Sequence, residues 1–269
     1  MIDSPTSLAI VVIAGFIAGA INGVVGSGTL VTFSALLAVG VPPVAANGTN
    51  TTGLFPGSFA SSYAYRSELR SRLHSLRWPI VATAIGACFG ALLVVSLPEE
   101  VFATIVPWLI ASATVMVAIG PLRTRITSRL AARRRATADD SGGVITPRRS
   151  ESIHRRALWP WTGVVGIYGG YFGAAQGVVL MAILTWIYDA RVQYSNAAKN
   201  LFASIANMMA AFVFTAAGYV VWPAALLLMA SSTLGGYLGA RWARRLPEVV
   251  LRGMVIAVGV IATTVLVVR

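Results

Sequence analysis

The chain has 269 residues, 57% hydrophobic and only 11% charged, with a formal net charge of +12. Soluble domains carry about 25% charged residues, so this balance and a mean hydropathy of +0.75 exclude a water-soluble fold. The positive charge is gathered in three segments that flank apolar runs, which argues for a lipid bilayer and against nucleic acid as a partner.

The first apolar runs cover about 7–25, 28–40 and 44–65. No Lys or Arg precedes Arg66, so the basic n-region of a cleavable signal is missing. Runs one and two join through NGVVGSGTL (Asn22–Leu30), and run three opens with AANGTNTT (Ala45–Thr52). Pro56 predicts a break in the third helix that exposes backbone near Ser58. The connection that follows carries Arg66, Arg70, Arg72 and Arg77 against Glu68 and reads as cytoplasmic. Runs four and five cover about 78–97 and 100–121. The lone Cys88 cannot form an intramolecular disulfide and reads as a small packing residue.

Arg123 to Arg156 is polar and basic, a solvated linker that divides the chain into a first transmembrane repeat (1–121), a cytoplasmic linker (122–158) and a second repeat (159–269). Beyond it, apolar runs recur at 159–173, 176–189, 192–217, 222–242 and 248–268. IGACFGALLVVSLPEEV (Ile85–Val101) aligns without a gap on LGGYLGARWARRLPEVV (Leu234–Val250), and Asn22–Gly26 falls against Gly169–Gly173. Small residues recurring in the same order in both halves indicate duplication. The Arg-rich turns sit at non-equivalent places in the two copies, so matching turns face opposite sides of the membrane. The fold class expected is therefore an all-α integral membrane protein of about ten helical segments, in two inverted-topology repeats of five. Both termini are then extracytoplasmic.

Short, glycine-interrupted segments at matching places in two halves point to a transporter's binding site. Here they are NGVVGSGTL and YGGYFGAAQG (Tyr168–Gly177), each read as the tip of a V of helices within the membrane. Backbone N–H groups after Gly26, Gly28 and Gly173 would begin the second and seventh helices and attract an anion. Ser27, Thr29 and Gln176 add donors. Asn22, Asn47, Thr49 and Asn50 in one half, and Asn196, Asn200 and Asn207 in the other, complete the candidate binding set. An Asn in a membrane helix also serves as interhelical glue, and both roles stay open.

Lys199 is the only lysine among 21 basic residues. It either snorkels to the cytoplasmic surface as an anchor or sits beside the glycine turn of its own half as a cation for the substrate. Every Asp and Glu lies at a segment end or in a loop, so no intramembrane proton carrier stands out. Asp189 beside Arg191 reads as a surface ion pair, and His74 and His154 sit in basic loops. The apolar segments hold no His, Asp or Glu to serve catalysis, so an enzyme is not expected, nor a cofactor or a metal.

The glycine-rich NGVVGSGTLV, the AANGTNTT after it and the second-half run AAKNLF through GGYLGARWARRLP resemble the sulfite exporter TauE/SafE family of membrane permeases. The resemblance covers nearly the whole chain outside the linker. It implies a cell-membrane carrier of small anions, with sulfite and organosulfonates such as sulfoacetate as substrates, and is compatible with a homo-oligomer. The chain departs from the family pattern in its first glycine run, which is often longer and followed by Pro where Thr32 stands. A non-catalytic membrane assembly protein and an anion channel are the competing readings.

Overall fold

A computed structural model describes residues 4–70, 73–115, 158–188, 192–242 and 260. The elements are α1 (Pro5–Val24), α2 (Thr29–Ala38), α3 (Pro43–Ala64), a short α4 (Arg66–Arg70) and α5 (Leu73–Ser96). They continue with α6 (99–115), α7 (Leu158–Tyr171), α8 (Gln176–Ile187), α9 (Val192–Ala216) and α10 (Trp222–Trp242). All regular structure among the described residues is helical, with no β-sheet. The basic linker up to residue 157, the Asp189–Arg191 turn and the tenth apolar run at 248–268, apart from residue 260, lie outside the described residues.

Helix ends follow local chemistry. Ser4 caps α1 by accepting the Ser7 N–H at 3.1 Å, with Pro5 supplying the preset φ of a first turn. The proline expectation needs correction: α3 runs unbroken through Pro56. The helix of the fourth apolar run, α5, starts at Leu73, ahead of the run's edge near residue 78. A proline in a helix removes one bond and crowds the carbonyl four residues back. In α3 the loss is contained because the helix is enclosed by neighbours, its polar face from Asn47 to Thr52 buried.

α1, α5, most of α9 and most of α10 are long and apolar enough to cross a membrane. α2 and α8 have only 10 and 12 residues, about half of a bilayer core at 1.5 Å per residue. Large apolar side chains such as Ile13, Phe89, Trp108, Phe212 and Leu234 project outward, as a lipid-facing surface requires.

Glycine brings the long helices into backbone contact. A Cβ on Gly235 of α10 would lie 2.0 Å from the Phe16 carbonyl of α1, and one on Gly90 of α5 would lie 2.0 Å from the Ile167 carbonyl of α7. In membranes, where lipid is as apolar as a side chain, such close approach supplies association energy. The pairing of helices has a regular form. α1 packs on α10 as α7 packs on α5, and α3 packs on α10 as α9 packs on α5. Contacts among α1, α2 and α3 reappear among α7, α8 and α9, while α3 and α9 meet in the middle.

Candidate functional site

The two glycine turns have the same backbone geometry. Gly26 and Gly173 both adopt left-handed φ, +80° and +72°, where a Cβ is strained. The Gly26 N–H donates to the Ile21 carbonyl and the Gly173 N–H to the Tyr168 carbonyl, both at 3.1 Å. Residue for residue, this matches the alignment of Asn22–Gly26 with Gly169–Gly173. The turns also touch each other. The Gly177 N–H donates to the Gly26 carbonyl at 3.0 Å, and a Cβ on Gly26 would lie 2.4 Å from the Gly177 Cα.

A polar cavity opens where they meet. The first half lines it with Asn22, Gly26, Thr29 and Ser58. The second half contributes Gly173, Gln176, Gly177, Asn200, Ala203 and Asn207. Its volume, about 20 Å³ counted for the centre of a water-sized sphere, holds a water molecule and little more. The described conformation is therefore nearly closed around the site.

The α2 end of the cavity is partly satisfied from within. Asn22 Oδ1 accepts the Gly28 N–H at 2.7 Å, so that amide is not free as the sequence suggested. Position 169, matching Asn22, is glycine, and the Gln176 side chain folds against it. Asn207 Nδ2 donates to Ser58 Oγ across the cavity at 3.3 Å.

Lys199 is fully buried, so it is no interfacial anchor. Nor does it face the glycine turn of its own half. Its Nζ donates to the carbonyls of Asn22 at 3.0 Å and Val24 at 3.3 Å, in the first half. Asn196 and Asn200 both donate to the Gly23 carbonyl between them, at 3.3 and 3.4 Å. Together these three side chains of α9 cap the last carbonyls of α1, which a helix ending inside a membrane leaves without partners. A cation there also complements the negative end of the macrodipole. The other turn has a lighter version, in which Asn47 Nδ2 donates to the Tyr171 carbonyl at 2.8 Å.

The remaining candidates stand behind the cavity wall. Thr49 Oγ1 accepts the Val221 N–H at 2.9 Å, just ahead of α10. Asn50 Oδ1 accepts from Thr32. Gly28 packs against α1, where a Cβ would fall 2.1 Å from the Ala18 carbonyl. Ser27 is buried, and its Oγ has no hydrogen-bond partner among the described residues. Ala203 was missed by sequence reasoning. It lies between Asn200 and Asn207 on one helical face, so the period could have found it, but a methyl group carries no chemical signal.

Membrane-crossing helices, two turns within the apolar core and a polar cavity between them define a multi-pass membrane transporter. The chain belongs to the sulfite exporter TauE/SafE family, whose model matches residues 11–266, and members of that family are transporters, not enzymes. It is 26% identical to a probable membrane transporter protein of Haemophilus influenzae, over 95% of this chain and 92% of the relative. It is 28% identical to the probable membrane transporter protein ORF9 of a Sinorhizobium species, over 94% and 89%. With the probable membrane transporter protein YfcA of Escherichia coli K12 the identity is 24%, over 96% and 88%. No solved structure matches the chain.

Proposed function

We propose that the protein carries small anions, sulfite or an organosulfonate such as sulfoacetate, across the cell membrane by alternating access. The substrate binds in the cavity between the two glycine turns. One observation carries this reading: beside a cavity lined by hydroxyl and carboxamide groups, Lys199 is buried with carbonyl oxygens as its hydrogen-bond acceptors. A buried ammonium with no carboxylate partner among the described residues is costly, and an anion arriving nearby lowers that cost. The first residues of α2 and α8 add the positive ends of two helix dipoles. In this scheme Thr29, Ser58, Gln176, Asn200 and Asn207 hydrogen-bond the anion, while Lys199 supplies charge from behind α1.

The same reading takes residues 1–121 and 159–269 as inverted repeats joined by a cytoplasmic linker at 122–158, with both termini outside. The matched helix pairings and the arginine-rich loops support it. Flux of radiolabelled sulfite and sulfoacetate into proteoliposomes tests the function. Saturable uptake of either anion by the wild type, absent in Lys199→Ala, is the expected result. Uptake no greater than in protein-free vesicles overturns the proposal.

A further inference from the structure

We propose that the bodies that move against each other during transport are not the two sequence halves but two mixed bundles. One consists of α1, α2 and α3 with α10; the other consists of α7, α8 and α9 with α5. The inference rests on the transport reading above and names its moving parts.

The helix contacts divide along this line. Among the described helices, the most extensive pairings, α5 with α7, α1 with α10 and α3 with α10, fall inside one bundle, and α3 with α9 joins the two. Within each bundle the helices interlock through glycine. A Cβ on Gly19 of α1 would lie 2.3 Å from the Ser232 carbonyl of α10, and one on Gly236 of α10 would lie 2.3 Å from the Gly57 carbonyl of α3. In the other bundle, a Cβ on Gly170 of α7 would lie 2.0 Å from the Ala87 carbonyl of α5. Backbones in such contact cannot slide without separating, because packed interiors have discrete arrangements and do not deform continuously.

Between the bundles, hydrogen bonds accompany the glycine and apolar contacts. Lys199 and its neighbours reach the end of α1, Asn47 reaches Tyr171 and Asn207 reaches Ser58. The Gly177 N–H meets the Gly26 carbonyl. Apolar packing crosses here as well: Phe33 stands edge-on to Phe172 at 5.1 Å, and Phe214 of α9 shares a buried cluster with Val44 and Leu54 of α3. Hydrogen bonds beside a polar cavity exchange with water at little net cost when the cavity opens, so in this proposal the seam that holds the cavity is the one that parts. The proposed substrate cavity lies on the same seam, as alternating access requires.

Disulfide cross-links discriminate between the two descriptions in a Cys88→Ala background. A Cβ on Gly163 stands 3.6 Å from Ala82 Cβ, within the separation of a disulfide. Ala82→Cys with Gly163→Cys therefore ties α5 to α7 inside one bundle. A Cβ on Gly48 stands 3.1 Å from Phe214 Cβ, so Gly48→Cys with Phe214→Cys ties α3 to α9 across the seam. Both links join the first sequence half to the second, so motion between halves is stopped by either. With mixed bundles, oxidising Ala82–Gly163 leaves sulfite flux within about twofold of the reduced protein, whereas oxidising Gly48–Phe214 lowers it at least about tenfold until it is reduced.

Hydrogen exchange at the Gly177 amide gives a readout that needs no substrate, and it slows only with the link across the seam. If the second pair does not fold, Ser58→Cys with Asn207→Cys, bridged by a short bifunctional thiol reagent, joins the same bundles and is read by exchange. Loss of flux or slowed exchange on oxidising Ala82–Gly163 overturns the proposal. So does free flux or unchanged exchange with the seam cross-linked. A wild type that carries no sulfite or sulfoacetate but shows the expected exchange pattern refutes the transport reading alone.

Discussion

Lys199 shows how one residue can have a structural and an electrostatic task at once. A charge at the bilayer centre costs at least ~2.5–3.5 kcal/mol on insertion scales, yet this ammonium is fully buried. Carbonyls of Asn22 and Val24 offset part of that cost, and its stem is enclosed between helices. Lys199→Met keeps most of the stem and removes the charge, so it should fold but transport at least about tenfold more slowly. Lys199→Arg keeps the charge but demands room for a planar fork, and should recover flux only in part. Wild-type flux from Lys199→Met at equal expression would reduce the ammonium to a packing element.

Gly177 makes a complementary case. Its own Cβ would fall 2.4 Å from the Gly26 Cα, so Gly177→Ala must push the two turns apart. Overpacking of this kind costs about 1–3 kcal/mol. A lower unfolding midpoint in detergent, together with lost flux, is expected.

At the level of elements, the short helices explain why side chains from elsewhere must finish the backbone. α1 and α7 end and α2 and α8 begin among packed helices, so each break leaves N–H and C=O groups that need partners there. α3 and α9 supply the partners, and each does so for the opposite half: Asn47 for Tyr171, and Lys199 for Asn22 and Val24. Thr49 extends the pattern by accepting the Val221 N–H ahead of α10. Thr49→Val preserves shape and removes that acceptor, which should cost about 1 kcal/mol, as losing a helix cap does. Faster hydrogen exchange at Val221 than at Tyr219 would be its local signature.

For the molecule as a whole, orientation in the bilayer follows from where arginine collects. Stretch 66–77, which spans α4 and the start of α5, and stretch 241–247 both hold several arginines, and the proposed topology puts both on the cytoplasmic side. Single cysteines in each, with Cys88 replaced, should label with an impermeant maleimide only from the cytoplasmic side. Labelling from opposite sides would remove the inverted repeat. The structural halves also exchange a helix each, α10 packing on α1 and α5 on α7. A repeat seen in sequence therefore need not be a repeat that moves as a unit.

Membrane class, the all-helical character and the two glycine turns were legible in the residues, because each rests on a local property. Hydropathy is set by composition, and a left-handed turn such as Gly26 or Gly173 needs a residue without a Cβ. The match of Asn22–Gly26 to Gly169–Gly173 was legible for the same reason. Partnership was not. Nothing near Lys199 in the chain says that its ammonium reaches across to α1, or that Asn22 occupies the Gly28 N–H. Those contacts join residues that the packing of α9 on α3 and of α1 on α10 brings together. In a membrane, buried polar groups bond to whatever the packing puts within reach, so only the assembled helices decide which ones face the cavity and which hold its walls.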